Sequence, residues 1–220
     1  MTADGQAAAQ AVPLWLRELA EAGRAMEVDA YQRPPARGGR AAAVLVLFSA
    51  GQDGAGPDGP GDPELLFIER AADLRDHAGQ PAFPGGSIDP ADSGPVAAAL
   101  REAAEEVGVI PAGVDVVGTL PELYIPRTRF RVVPVLAWWR EPTAVAPVDP
   151  GEVAAVERIA VSELADPAAR VMVRVPGGGL SPAFRARGLL IWGFTAGIVD
   201  RLLQLGGWER PWAGAEVVDL

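Results

Sequence analysis

The 220-residue chain contains no cysteine, which excludes disulfides and thiolate metal sites. It has a single histidine, His77, too few for a multi-histidine zinc centre. Lysine is also absent, so all 19 basic side chains are arginines. Against 29 acidic residues they leave a net charge of −10. That balance argues against non-specific binding to nucleic acid or to an anionic membrane. Phosphates remain possible ligands, but only through local arginine, backbone N–H groups or a metal. The opening MTADGQAAAQ lacks the basic-then-apolar pattern of a signal peptide. No apolar run is long enough to span a bilayer. The expected location is the cytoplasm.

Hydrophobic residues make up 49% of the chain and charged residues 22%, ample for one packed core. The length fits one domain with extensions, or at most two small ones. Residues 1–12 are small and polar without periodicity and read as a disordered start, leaving 13–220 as the domain. The excess of Ala, Gly, Pro and Arg reads as codon bias, so many alanines are uninformative.

From Pro13, apolar residues at helical spacing (Leu14, Leu16, Leu19) predict an amphipathic helix. YQRPPARGGR is a linker by its Pro/Gly content. The continuous apolar run 41–48 predicts a buried strand, with 65–70 as its partner across a flexible loop at 49–64. Residues 114–123 and 131–139 read as strands, and Pro134 belongs at a bulge or an edge because it cannot donate to a ladder. A short strand and a helix start share 153–164. VMVRV and LSPAF form a hairpin around a glycine-rich turn. The segment 189–205 reads as one buried helix, and it and the N-terminal helix offer apolar surface to a homodimer. The tail from Gly206 carries no pattern. Strands mixed with three helices predict an α/β fold with helices on both faces of the sheet.

The most informative stretch is FPGGSIDPADSGPVAAALREAAEEVGV, Phe83 to Val109. On a helix, Glu102, Glu105 and Glu106 fall within roughly 100° of arc, opposite Val96, Ala99, Leu100, Ala103 and Val107. Three carboxylates on one face repel each other, and a divalent cation is the natural compensation. Arg101 lies four residues before Glu105, at ion-pairing distance on a helix. Gly85 and Gly86 let backbone approach a metal or phosphate, and Gly86 offers a carbonyl ligand. Asp92, Ser93 and Pro95 look like helix-start residues. The competing explanation for the charges is a solvated helix face.

Gly86 to Val109 resembles the Nudix signature GxxxxxE, seven residues, then REUxEExGU, where U is bulky aliphatic. Arg101, Glu102, Glu105, Glu106, Gly108 and Val109 match, and Ala103 is a small substitute at the first U. Asp92 replaces the first Glu, and eight residues rather than seven separate it from Arg101. Both departures occur in the coenzyme A pyrophosphatase branch, whose box reads FPGGxxDPxDxxxxxxALREAxEE. That branch also carries an upstream motif matched here by Leu66, Arg70, Arg75, Gly79 and Phe83 to Gly86, with Ile68 and Ala71 as departures. Gly118, Phe130, Val132, Pro134 and Ile191–Trp192–Gly193 add to the likeness, which covers most of 40–205.

The resemblance implies a Nudix-type α/β/α sandwich with a mixed sheet and a catalytic loop–helix–loop. It implies Mg²⁺ or Mn²⁺, with Glu102 and Glu106 as direct ligands and Glu105 sharing the metal or activating water. It also implies hydrolysis of coenzyme A or acyl-coenzyme A to 3′,5′-ADP and (acyl-)4′-phosphopantetheine. ADP-ribose or another nucleoside diphosphate derivative is the alternative substrate. A catalytically silent ligand-sensing module is the alternative of another class. Arg70 and Arg75 suit substrate phosphates, since arginine presents a planar fork to oxyanions. His77 is a further phosphate-binding candidate or a structural residue, and Gln80 is similar. Glu152 matches a Glu that many Nudix proteins place facing the metals, as ligand or general base. Tyr124, Phe130 and Trp192 are candidates to stack on substrate, against the alternative of core packing.

Overall fold

The computed structural model describes residues 11–51, 61–74, 77–175, 179–212 and 216–220. The expected disordered start falls largely on 1–10, the flexible loop on 52–60 and the glycine turn on 176–178, all outside the described residues.

The centre of the fold is β1 (Arg40–Ser49) lying parallel to β7 (Phe130–Trp139), in register from Arg40–Phe130 to Phe48–Trp138. β2 (Glu64–Arg70) pairs antiparallel with the far end of β1, and β4 (Gly85–Ser87) with its near half. β3 (Pro81–Ala82) and β8 (Val153–Ala160) join β2, while β5 (Val114–Thr119) and β6 (Leu123–Ile125) join β7. The result is an eight-stranded mixed sheet among the described residues. Residues of β1 alternate between two cores. Ala43, Leu45 and Leu47 meet Ala98, Ala99, Ala103 and Val107 of α2 (Pro95–Val107). Val46 and Phe48 meet α1 (Leu14–Arg24) and α4 (Gly193–Leu205) on the other face. Burial on both faces explains why β1 reads as an unbroken apolar run. The α/β/α layering is as expected.

The expected single strand 114–123 is two strands, β5 and β6, on the same flank of β7. Pro134 explains the break, and it sits neither at an edge nor at a bulge. Its carbonyl accepts from the Leu120 N–H at 2.9 Å, so its missing N–H faces the β5–β6 junction, where no ladder bond is required. The expected helix 189–205 is also divided: Leu189–Ile191 is β11, and α4 begins only at Gly193. β11 pairs with β10 (Leu180–Ala186), which pairs with β9 (Arg170–Arg174) as the expected hairpin. The tail contributes β12 (Val217–Asp219), parallel to β9, completing a second sheet of four strands. A four-residue helix, α3 (Val161–Leu164), follows β8. The apolar faces of α1 and α4 are buried inside the chain, with Leu16, Leu19, Val199 and Leu202 at 1% exposure or less, so neither offers that surface to a second copy.

Candidate active site

Phe83 opens the glycine loop and is fixed by stacking on Phe67 of β2 at 4.9 Å. The chain then runs along β1, with Gly85 opposite Val44 and Gly86 opposite Ala43. Gly85 has φ of 155°, and a Cβ there would collide with the Ala43 carbonyl oxygen. A Cβ on Gly86 would lie 2.5 Å from the carboxylate carbon of Glu102. The two glycines therefore let the loop pass between β1 and the acidic face of α2.

α2 starts at Pro95 with Gly94 as its N-cap and ends at Gly108 in the left-handed conformation, φ 76°. Along it the three glutamates diverge. Glu106 is buried at 6% exposure, accepts from the Gly85 N–H at 2.9 Å and stands 3.8 Å from Arg70. Burial pushes its carboxyl up to about 7; the Gly85 N–H and Arg70 oppose the shift, and the charges of Glu102 and Glu152 add to it. Glu102, one turn earlier, is half-buried, and burial raises it as well, opposed by Arg101. Glu105 points to solvent, its side chain 59% exposed. Among the described residues, no three acidic or histidine side chains form a ready metal cluster. A shared helical face is thus not a shared point: Glu106 turns inward to Gly85 while Glu105 turns outward to Arg101.

Arg101 organises the outer half of this face. Its Nε and Nη2 donate to the two oxygens of Asp92 at 3.1 and 2.9 Å. Nη1 donates to Glu102 at 3.1 Å and Glu105 at 2.9 Å, and Nη2 also reaches the Ser87 carbonyl at 3.1 Å. All five N–H groups are occupied, so Arg101 has no donor left for a substrate in this arrangement. Asp92 is not the helix cap expected of it. It accepts from the Asp89 N–H at 2.8 Å and clamps Arg101, which holds its carboxyl below the usual range. The nine-residue spacing from Asp92 to Arg101 was the only trace of this pairing in the sequence.

Arg70, at the end of β2, faces Glu106, and its buried Nε has no hydrogen-bond partner among the described residues. The Ala71 N–H donates to the Glu152 carbonyl at 2.9 Å, and Arg70 pairs with Val153, so the start of β8 carries Glu152 to the same edge. His77 has φ of 59°, and its Nδ1 bonds Gln80 Oε1 at 2.7 Å. The Gly79 N–H donates to the Arg70 carbonyl, which holds this turn beside Arg70. Arg75 lies outside the described residues. The aromatic candidates lie apart from the carboxylates. Trp192 packs on the small core of the second sheet, Phe130 lies under Arg40 at 4.0 Å, and Tyr124 pairs with Arg131.

The donor set suits a hard divalent cation. Glu102 and Glu106 are oxygen donors one turn apart, the Gly86 backbone lies against Glu102, and Glu106 is a buried acid whose ionised form lacks full compensation.

A protein-family model for the NUDIX domain matches residues 39–175. The chain belongs to the Nudix family. It is 40% identical over 164 residues to a Nudix hydrolase NudL of Cronobacter sakazakii, covering 68% of this chain and 78% of that one. The NudL of Citrobacter koseri is 39% identical over 148 residues, 66% and 76% of the two chains. Among solved structures, a Nudix hydrolase from M. smegmatis, RenU, superposes with a TM-score of 0.51 at 22% identity, covering 80% of this chain and 90% of that chain. The last likeness supports the fold alone. The small residue at the first bulky position of the Nudix signature, Ala103, has a physical reason here. It is fully buried between α2 and the sheet, where a larger side chain would push the helix off β1. No helix among the described residues is long and apolar enough to cross a membrane.

Proposed function

We propose that this Nudix protein is a Mg²⁺- or Mn²⁺-dependent diphosphatase acting on coenzyme A or acyl-coenzyme A. The products are 3′,5′-ADP and (acyl-)4′-phosphopantetheine. The observation that carries the chemistry is the buried carboxylate of Glu106, held by the Gly85 N–H with Glu102 one turn away under Gly86. A bound metal on Glu102, Glu106 and the Gly86 carbonyl would neutralise diphosphate charge and activate a water. Arg70 has a buried Nε without a hydrogen-bond partner among the described residues and orients a substrate phosphate. Glu152 raises the Glu106 carboxyl through space and is the candidate to accept a proton from the attacking water. Arg101, clamped by Asp92, keeps Glu102 and Glu105 in place rather than touching substrate. His77, bound to Gln80 beside Arg70, shapes the phosphate-binding turn.

The choice of coenzyme A is supported by the motif around Arg70, Gly79 and Phe83 to Gly86 and by the Asp92 spacing. A panel of coenzyme A, ADP-ribose, a dinucleoside polyphosphate and a nucleoside triphosphate, with products separated by chromatography at matched concentration, tests it. Coenzyme A is expected to be cleaved fastest. Faster cleavage of ADP-ribose overturns the substrate assignment, and no metal-dependent cleavage of any member favours the ligand-sensing module.

A further inference from the structure

Exposed apolar side chains scattered singly are normal on a protein surface, but several on one surface mark an interaction site. Three of the large ones in this chain gather in that way. Tyr31 is 68% exposed, Leu180 50% and Val217 43%. Tyr31 is the middle residue of a single 3-10 turn, Ala30–Gln32, closed by the Gln32 N–H on the Asp29 carbonyl at 2.9 Å. Together with Met26, Leu123, Pro182 and Ile198 it lines a cavity of about 160 Å³. Pro182 of β10 shares its face of the second sheet with Leu180, two residues earlier, and with Met172, its opposite number on β9. Met172 in turn lies beside Val217 of β12. On the same face Phe184 and Ile191 are buried in the core with α4, so the helix covers one half of this face and leaves the half that adjoins Tyr31.

The charges around Tyr31 are placed symmetrically. Asp29 lies two residues before it and Arg33 two residues after it, and both are exposed. Neither makes an ion pair or side-chain hydrogen bond among the described residues. An acid and a base left unpaired on either side of an exposed aromatic ring form a self-complementary surface. A two-fold axis at Tyr31 sets Asp29 of each copy against Arg33 of the other. The net charge of −10 on each chain opposes association. At physiological salt, however, charges are screened beyond about 8 Å, so pairs in contact act while most of the remaining charge does not.

We infer that this surface is an interface with a second copy of the chain, an isologous contact centred on Tyr31. It lies beside α4 and does not use the apolar faces that α1 and α4 bury. Tyrosine suits the centre of such a contact, since it offers a large apolar area with one polar end. The inference is independent of the proposed reaction.

Sedimentation velocity of the full chain, from about 1 to 100 µM in about 0.15 M salt, tests it. The mass is expected to rise from the 22.9 kDa of one chain towards twice that value. Tyr31→Ala and Asp29→Arg should each weaken association by about tenfold or more. Their melting temperatures should stay near that of the wild-type monomer, because both side chains are exposed. Asp29→Arg/Arg33→Asp exchanges the two charges and should restore association to within about threefold of the wild type. A wild type that remains a single chain at about 100 µM overturns the inference. So does a dimer indifferent to Tyr31→Ala and Asp29→Arg, or an exchange variant that associates no better than Asp29→Arg alone.

Discussion

The charges of α2 and those of the linker 33–39 and the β6–β7 turn are arranged in opposite ways. On α2 each ionised group is tied: Arg101 by Asp92, Glu102, Glu105 and Ser87, and Glu106 by Gly85 and Arg70. On the linker and the turn, Arg37, Arg127 and Arg129 stand exposed without counter-charge among the described residues. A tied, half-buried set gives fixed geometry, which positioning a reacting group requires. An untied, exposed set gives reach and attraction to an incoming anion, and weakens as salt rises. Substitutions on α2 should therefore change the rate far more than substitutions of these exposed arginines.

The largest effect belongs to Glu106→Gln. Coenzyme A turnover should fall by about 10³-fold, several kcal/mol of lost transition-state stabilisation, with circular dichroism unchanged. Near-normal turnover would remove the helix from the chemistry. Next is Gly85→Ala, where the Cβ meets the Ala43 carbonyl and φ is 155°. A loss of about 1–3 kcal/mol in urea unfolding is expected, together with reduced activity. Asp92→Asn should lower kcat by about tenfold with little change in KM, because the released Arg101 no longer fixes Glu102. A change in KM alone would make Asp92 part of binding. Glu105→Gln, at an exposed position, should change kcat by only a few-fold.

The tied region also has a pH signature. Glu106 has its folded carboxyl at about 7, raised from 4.5, so the metal-free folded state binds more protons than the unfolded chain between those values. Stability of the metal-free protein is therefore fully present below about 4.5 and declines as pH rises towards 7, by on the order of 3 kcal/mol at most. Glu106→Gln should flatten that decline in urea titrations from pH 5 to 8.

The layers of the fold, the glycine loop and the start of α2 were legible in the sequence because they follow from local pattern: the unbroken apolar run of β1, the paired Gly85 and Gly86, and Pro95 at the helix start. What was not legible depends on contacts distant in the chain. β6 is separate from β5 because Pro134, on another strand, cannot donate between them. Ile191 is the exception, since its partner Phe184 lies close by in a hairpin with β10, but the apolar run of β11 continues into α4 and so read as one helix. The helical period put Glu102, Glu105 and Glu106 together, but which of them turns inward was decided by Gly85 and Arg101. The junction of the linker with the β6–β7 turn could not be seen at all, since the Arg40 N–H reaches the Arg129 carbonyl only when β1 pairs with β7.

The measurement that bears most directly on the account is thermal melting at pH 8 with and without Mg²⁺, for wild type and Glu106→Gln. A cation held by Glu102 and Glu106 stabilises the folded state by about 2.7 kcal/mol at one hundred times its dissociation constant. The wild type is therefore predicted to melt several degrees higher with Mg²⁺, and Glu106→Gln to show almost no shift. Equal shifts in both proteins, or none in the wild type, would contradict a metal site on α2.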